Sequence, residues 1–371
     1  MSLKSIVLKV LVLPVLLLPA ACHSAEVKPL IQVAIILDTS NSMDGLINQA
    51  KSQLWKIVNE FATVKKNGKT PELQVSLFEY GNNGLSAQNG YMRMVLPFTG
   101  DLDKISEELF ALRTNGGSEY CGKVIKEASE KLEWSGSNEN YRAIFIAGNE
   151  PFTQGEVDYK TACKKAIKKG IIVNTIHCGS YEEGNLSGWK DGAELADGTY
   201  ANIDQDKTVA YMETPHDKEI EKLGAALNRT YIAYGKAGSD GKRRQEEQEK
   251  NAIGVTMESF ISRQVAKSSP HYNNSRWDLV DAVEKKFVGL DKLKKDELPE
   301  EMRNMSMKEK NSYIEKLGRE RKTLQQKIKV LNDARQKYIN EKMASSPAGN
   351  RFDDAVVQSV RKQAEKKAFI F

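Results

Sequence analysis

The hydrophobic rhythm of the chain changes twice. Residues 6–18 form an apolar run with Lys4 and Lys9 at its start. From residue 31 to about 203, short aliphatic runs alternate with stretches in which apolar residues recur every three or four positions, the pattern of strands and helices layered in an α/β sheet. Residues 31–37 form an apolar run broken only by Gln32, the pattern of a central strand covered on both faces, and lead into the polar turn 38–42. Leu46, Ile47, Ala50, Leu54, Ile57, Val58 and Phe61 then line one face of a helix that ends near Gly68, a residue able to take a left-handed cap. Residues 73–80 and 92–98 read as two strands joined through Gly81-Asn82-Asn83-Gly84, a hairpin with a long loop. Ile105, Leu109 and Leu112 mark a short helix, followed by the loop 113–119 and a helix over 121–132. Further strands are predicted at 141–147, 171–177 and 199–203, and helices at 157–169 and 217–227. The fold class is therefore α/β, a doubly wound, mostly parallel sheet with one antiparallel edge strand.

After Gly235 the strand signals stop. Residues 236–250 are nearly all charged, polar or glycine, which places a boundary there, and the remainder reads as helices broken at Pro270 and Pro299. Ile314, Leu317, Leu324, Ile328, Leu331 and Tyr338 follow heptad-like spacing, with Arg321 and Arg335 in the same seam. A coiled-coil-like helix of roughly 35 residues is predicted. It either self-associates or folds back as an antiparallel hairpin on a helix over 252–265. Trp277 and its apolar neighbours are expected to pack a helix. The resulting division is 1–25, 29–235, 236–345 and a tail, 346–371, with one short amphipathic helix.

Composition narrows the class. Of 371 residues, 40% are apolar and 28% charged, which excludes a mostly disordered chain and a multi-span membrane protein. The net charge of +5 is dispersed, with Lys and Arg interleaved among Glu, so no nucleic-acid partner is expected. Residues 1–25 have the charged start, short apolar core and small-residue end of a secretory signal. Leu18-Pro19-Ala20-Ala21-Cys22 resembles a lipoprotein box, with a lipid anchor at Cys22; the competing cut follows Ala25. Either route exports the protein, to a periplasmic or membrane-anchored state. Cys121, Cys163 and Cys178 would then sit where a disulfide persists, as one pair and a spare thiol, or else serve as three small buried hydrophobes.

The candidate chemistry lies in the first turn. Asp38-Thr39-Ser40-Asn41-Ser42 places a carboxylate and two hydroxyls on alternate residues after an apolar strand, able to turn their oxygens toward one point. Hard cations such as Mg2+, Mn2+ or Ca2+ take such oxygen ligands. The competing reading is that Ser40 or Ser42 caps the next helix. The pattern Asp-x-Ser-x-Ser, with its strand before and helix after, resembles the metal-ion-dependent adhesion site of von Willebrand factor A domains. That resemblance implies a further hydroxyl from the second loop, for which Ser118 is the substitute and Thr114 the reserve. It also implies an aspartate in a Thr-Asp-Gly third loop, where this chain reads Ala147-Gly148-Asn149-Glu150. Gly148 stands at the expected acid, which leaves Glu150 or Asn149 to reach an ion. The motifs Gly117-Ser118-Glu119-Tyr120-Cys121-Gly122 and Asn174-Thr175-Ile176-His177-Cys178-Gly179 further resemble exported bacterial proteins that join such a domain to a helical extension. In that fold Cys121 and Cys178 both approach the ligand-binding edge and form the preferred disulfide. His177 is expected to be a packed residue.

The expected function is a binding module that uses its cation to engage an acidic group of a protein partner in the cell envelope. The alternative is an envelope scaffold acting through the C-terminal coiled coil. A hydrolase reading lacks parts: there is no Gly-x-Ser-x-Gly elbow, no His-Glu-x-x-His, no phosphate loop and no Asp-x-Asp pair.

Overall fold

The computed structural model describes residues 28–61, 64–203, 211–344 and 352–371. The expected signal segment, and the two alternatives for its processing at Cys22 or after Ala25, lie outside these residues.

The chain runs through β1 (Leu30–Asp38), α1 (Ile47–Glu60), β2 (Lys65–Lys66), β3 (Glu72–Tyr80), β4 (Met92–Thr99), α2 (Leu102–Ala111), α3 (Cys121–Lys131) and β5 (Tyr141–Gly148). It continues through α4 (Tyr159–Lys168), β6 (Ile172–Cys178), α5 (Tyr181–Leu186), α6 (Trp189–Glu194), β7 (Tyr200–Ile203) and α7 (Asp217–Asn228). The helical part comprises α8 (Gly238–Val255), α9 (Met257–Lys267), α10 (Leu279–Glu284), α11 (Met307–Ala344) and α12 (Phe352–Glu365), and ends in β8 (Phe369–Ile370).

Six strands form one sheet in the order β4-β3-β1-β5-β6-β7, parallel except for the β3–β4 edge pair. The apolar run of β1, broken only by Gln32 before Asp38, follows from its position. Ile31, Val33, Ile35 and Leu37 point into one core with α1, α2 and α7, while Ala34 and Ile36 point into the other with α3 and α4. With a period of two and both faces covered, apolar residues are favoured throughout. The one buried polar side chain between residues 31 and 37, Gln32, is satisfied by hydrogen bonds: its amide donates to Gln74 (2.9 Å) and to the Glu133 carbonyl (3.1 Å) and accepts the Ser135 N–H (2.7 Å). From β1 the chain steps first to β3 on one side and later to β5 on the other. The crevice at the carboxyl end of β1 is thus the topological switch point, where ligands bind in sheets of this kind.

The helical extension does not stand apart from the sheet. The segment 236–250, read from its polarity as a boundary, is the start of α8, and Ala252, Phe260, Ile261, Leu324 and Ile328 join the same core as β1 and α1. Buried charges secure this packing. Arg263 on α9 pairs with Asp103 on α2 (2.7 Å) and with Glu249 on α8 (2.9 Å). The apolar seam of α11 packs within the chain, against α7, α9 and α10. The fold-back alternative is the one realised, with more helices in the contact than α9 alone. Its two arginines explain themselves. Arg321 lies between Asp278 (2.7 Å) and Asp281 (2.6 Å), its guanidinium over the Tyr231 ring, and Arg335 meets Asp217 at 2.9 Å.

The tail is likewise part of the fold. Val360, Ala364 and Phe369 are buried in the core beside α1, Gln363 accepts a hydrogen bond from Tyr141 Oη (2.9 Å), and β8 pairs with β2. The expected Cys121–Cys178 disulfide is not formed: Cys121, Cys163 and Cys178 are free and buried. The sheet itself is the reason, since Cys121 packs in the core on one face and Cys178 in the core on the other.

Candidate metal centre

Asp38 closes β1 with its carboxylate fully buried. Oδ1 accepts the Ser40 backbone N–H at 2.8 Å, which turns the chain at the strand end, while Oδ2 has no hydrogen-bond partner. The two serines are not spent on capping. The short turn Asn41–Met43 has no side-chain cap, and the N-cap position of α1 is Leu46. Instead Ser40 Oγ and Ser42 Oγ stand 2.8 Å apart.

The second loop is fastened beside this turn. Asn115 N–H donates to the Thr39 carbonyl at 2.9 Å, and Thr114, the reserve hydroxyl, is taken up by Asp44. Ser118 is half-buried and makes no hydrogen bond among the described residues. The side chain of this loop that reaches Asp38 is Glu119, which was not singled out as a ligand although it directly follows the Gly-Gly-Ser stretch. Both carboxylates press on one glycine: a Cβ on Gly81 would stand 2.6 Å from Asp38 Oδ1 and 3.0 Å from the Glu119 Cγ. Gly81 also has φ +75°, a conformation that glycine adopts without strain.

The third loop corrects the expected register. A Cβ at Gly148 would run into the Tyr80 hydroxyl and come within 2.8 Å of Asp38 Oδ2, so the space an aspartate would need there is already filled. The side chain that faces the serines belongs to Asn149, whose Oδ1 accepts from Ser42 Oγ and whose Nδ2 donates to the Ser42 carbonyl, both at 3.0 Å. Glu150 is turned elsewhere. Its carboxylate accepts from Gln154 at 3.4 Å and its carbonyl from the Trp189 indole at 2.9 Å. His177 braces the loop from behind, its ring nitrogens 3.0 Å from the Ser180 carbonyl and 3.2 Å from that of Asn149.

Burial, reinforced by the charges of Glu119 and Glu150, pushes the Asp38 carboxyl up to about 7 despite the Ser40 hydrogen bonds. Burial and Glu150 push Glu119 to about 7 as well. Neither has an ion pair among the described residues. A buried carboxylate oxygen with no donor and no counter-charge is costly unless a cation supplies both. Among the described residues no three His, Cys, Asp or Glu side chains converge to hold a metal by themselves. The hydroxyls of Ser40 and Ser42 and the amide oxygen of Asn149 would therefore complete the set around Asp38, an all-oxygen group suited to a hard cation. Beside Ser42 and Asn149 opens a groove of about 750 Å3, lined also by Leu46, Pro151, His177 and Leu186.

The sequence profile of the von Willebrand factor type A domain matches residues 32–207. This segment is a von Willebrand factor type A domain. Its sheet order and the Asp-x-Ser-x-Ser turn at the switch point belong to a family that contains cation-dependent binding modules. The chain is similar to a conserved hypothetical protein, BatB, from Bacteroides thetaiotaomicron, with 21% identity over 47% of this chain and 90% of that one (TM-score 0.36). It is similar to an aerotolerance-related membrane protein from Bacteroides fragilis, with 19% identity over 47% and 92% (TM-score 0.34). It also resembles proximal thread matrix protein 1 from the mussel byssus, with a zinc-occupied MIDAS motif, at 12% identity over 48% and 43% (TM-score 0.36). No curated protein matches the sequence.

Proposed function

We propose that the von Willebrand A domain is a cation-dependent binding module that takes an acidic side chain of a protein partner. The observation that carries this reading is the buried, unpartnered Oδ2 of Asp38 beside two uncapped serine hydroxyls at the switch point. Asp38, Ser40, Ser42 and Asn149 would hold Mg2+ or a similar ion; Glu119 and Glu150 contribute negative field without a seat on the serines. When bound, the ion supplies a positive charge with an exchangeable position that a carboxylate can fill. Ser40 and Ser42 are neutral, so the ion keeps most of its charge for the partner. The groove beside Ser42, with Leu186 standing 85% exposed at its edge, offers apolar contact next to that charge. Export forms part of the proposal: the signal-like residues 1–25 would bring the domain into the cell envelope, where the partner is met.

The test is thermal melting with and without Mg2+. Wild type should gain stability with the cation, while Ser42→Ala should keep its cation-free melting point and lose most of the gain. No gain in wild type at millimolar Mg2+ and pH 8 would sink the metal centre. Capture of a carboxylate-bearing partner that persists in chelator would sink the binding mode.

A further inference from the structure

The end of the sheet opposite the metal centre carries a surface that cation binding does not use. β1 enters the sheet at Leu30 and leaves it at Asp38. Lys28 therefore lies a strand length, roughly 27 Å, from the site. At this far end the charges of Lys28, Lys65 and Lys285 act on His271, whose Nε2 is buried without a partner. Burial, then those three charges, hold the imidazole down to about 4, so it remains neutral. Lys65 is paired across the β2–β8 ladder with Ile370, which is 66% exposed. Lys285 ends α10. Lys286 follows at φ +57° and donates its N–H to the Val283 carbonyl (3.1 Å), and Phe287 N–H donates to that of Ala282 (2.8 Å). In such a helix stop the residue at the place of Phe287 commonly folds back on the helix. Here its ring is 63% exposed beside Lys285 and Lys286. The acid of this turn, Glu284, is held by Lys322 at 2.5 Å, and among the described residues Lys28, Lys285 and Lys286 have no ion pair.

We propose that this face docks on an anionic phospholipid surface, with Lys28, Lys65, Lys285 and Lys286 against phosphodiester headgroups and Phe287 and Ile370 in the interfacial layer. The pairing of exposed apolar tips with unneutralised lysines is what such a surface rewards. A free anion would use the lysines and leave both apolar side chains without a role. The course of the chain points the same way. Cys22 precedes Lys28 by six residues, a reach of at most about 20 Å, so a lipid carried there would come down beside this face. The cation site would then look away from the membrane, toward a partner. This inference stands apart from the metal reading, and either can fail alone.

The experiment is vesicle co-sedimentation of the full chain carrying Cys22→Ser, which removes any acyl contribution. Vesicles with about 30% phosphatidylglycerol should bind it at least tenfold more strongly than pure phosphatidylcholine in roughly 0.1 M salt, and weakly in about 0.5 M. Lys285→Glu and Lys286→Glu should each cost about fivefold or more, and Phe287→Ser a comparable loss. Because these side chains are exposed, melting points should stay unchanged, which separates lost docking from lost folding. Equal binding to both vesicle types would overturn the proposal. So would binding indifferent to all three substitutions, which would assign it to the N-terminal apolar run. Complete competition by about 10 mM inorganic phosphate would overturn it in favour of a free-anion site.

Discussion

Asn149→Asp is the sharpest perturbation of the metal centre, because it changes one atom and one charge. Its Nδ2 now donates to the Ser42 carbonyl at 3.0 Å, and a carboxylate there would place oxygen against oxygen. Losing that bond costs about 1 kcal/mol, and a further acid near Asp38, Glu119 and Glu150 adds to the repulsion, so the cation-free protein should melt lower. With a cation the sign reverses. Two unit charges about 4 Å apart at an effective dielectric near 20 attract by about 4 kcal/mol. Even a third of that, allowing for the exposure of this loop, tightens binding about tenfold. Calorimetric titration of Mg2+ at pH 8 measures the gain. The pH dependence provides a second reading of the same site. The folded Asp38 carboxyl is raised to about 7 from an ordinary 3.8, so the cation-free fold gains stability as pH falls from 7 toward 4 and loses it as pH rises. Cation binding needs the ionised form and must expel that proton. Affinity should therefore climb between pH 6 and 8, with proton release on binding. An Asn149→Asp protein that binds Mg2+ no tighter than wild type, together with a wild-type affinity flat across this range, would refute the placement of Asn149 and Asp38 at one ion.

Three further outcomes test the packing. Arg321→Ala leaves Asp278 and Asp281 without their cation in the interior and should cost about 3–5 kcal/mol in urea unfolding; adding Asp278→Asn should recover part of it, because the stranded charge is the main penalty. Phe369→Ala empties a fully buried site between the tail and α1 and should cost about 3–5 kcal/mol, whereas a dispensable tail would show no change. Burial acts on Glu249 in the upward direction, but Lys267 and Arg263 outweigh it and hold the group at about 2. Its contribution is complete above the unfolded value near 4.5 and is lost as pH falls toward 2. Melting curves from pH 5 to 2.5 should lose their acid limb in Glu249→Gln.

The local sequence of this protein determined a good deal by itself. The largely apolar run of β1, the stripe of α1 and the Asp-x-Ser-x-Ser turn each report a short-range pattern, and short-range pattern decides strand, helix and turn. That was enough for the α/β class, the edge hairpin and the position of Asp38, Ser40 and Ser42. What the tertiary structure alone decided depends on residues far apart in the chain. Whether Cys121 can meet Cys178 depends on which face of the sheet each side chain takes. Whether Arg321 interrupts a seam or fills one depends on Asp278 and Asp281 arriving from another helix. The polarity of 236–250 signals exposure on most sides, and it could not reveal that Gln245 and Gln248 would be buried against α2 and α9. The third loop shows the limit most plainly. A one-residue difference between Gly148 and Asn149 is settled by the Tyr80 hydroxyl and Asp38, which fill the space beside one and leave the other facing Ser42. Sterics at a crowded strand end act through space, and spacing along the chain does not encode them.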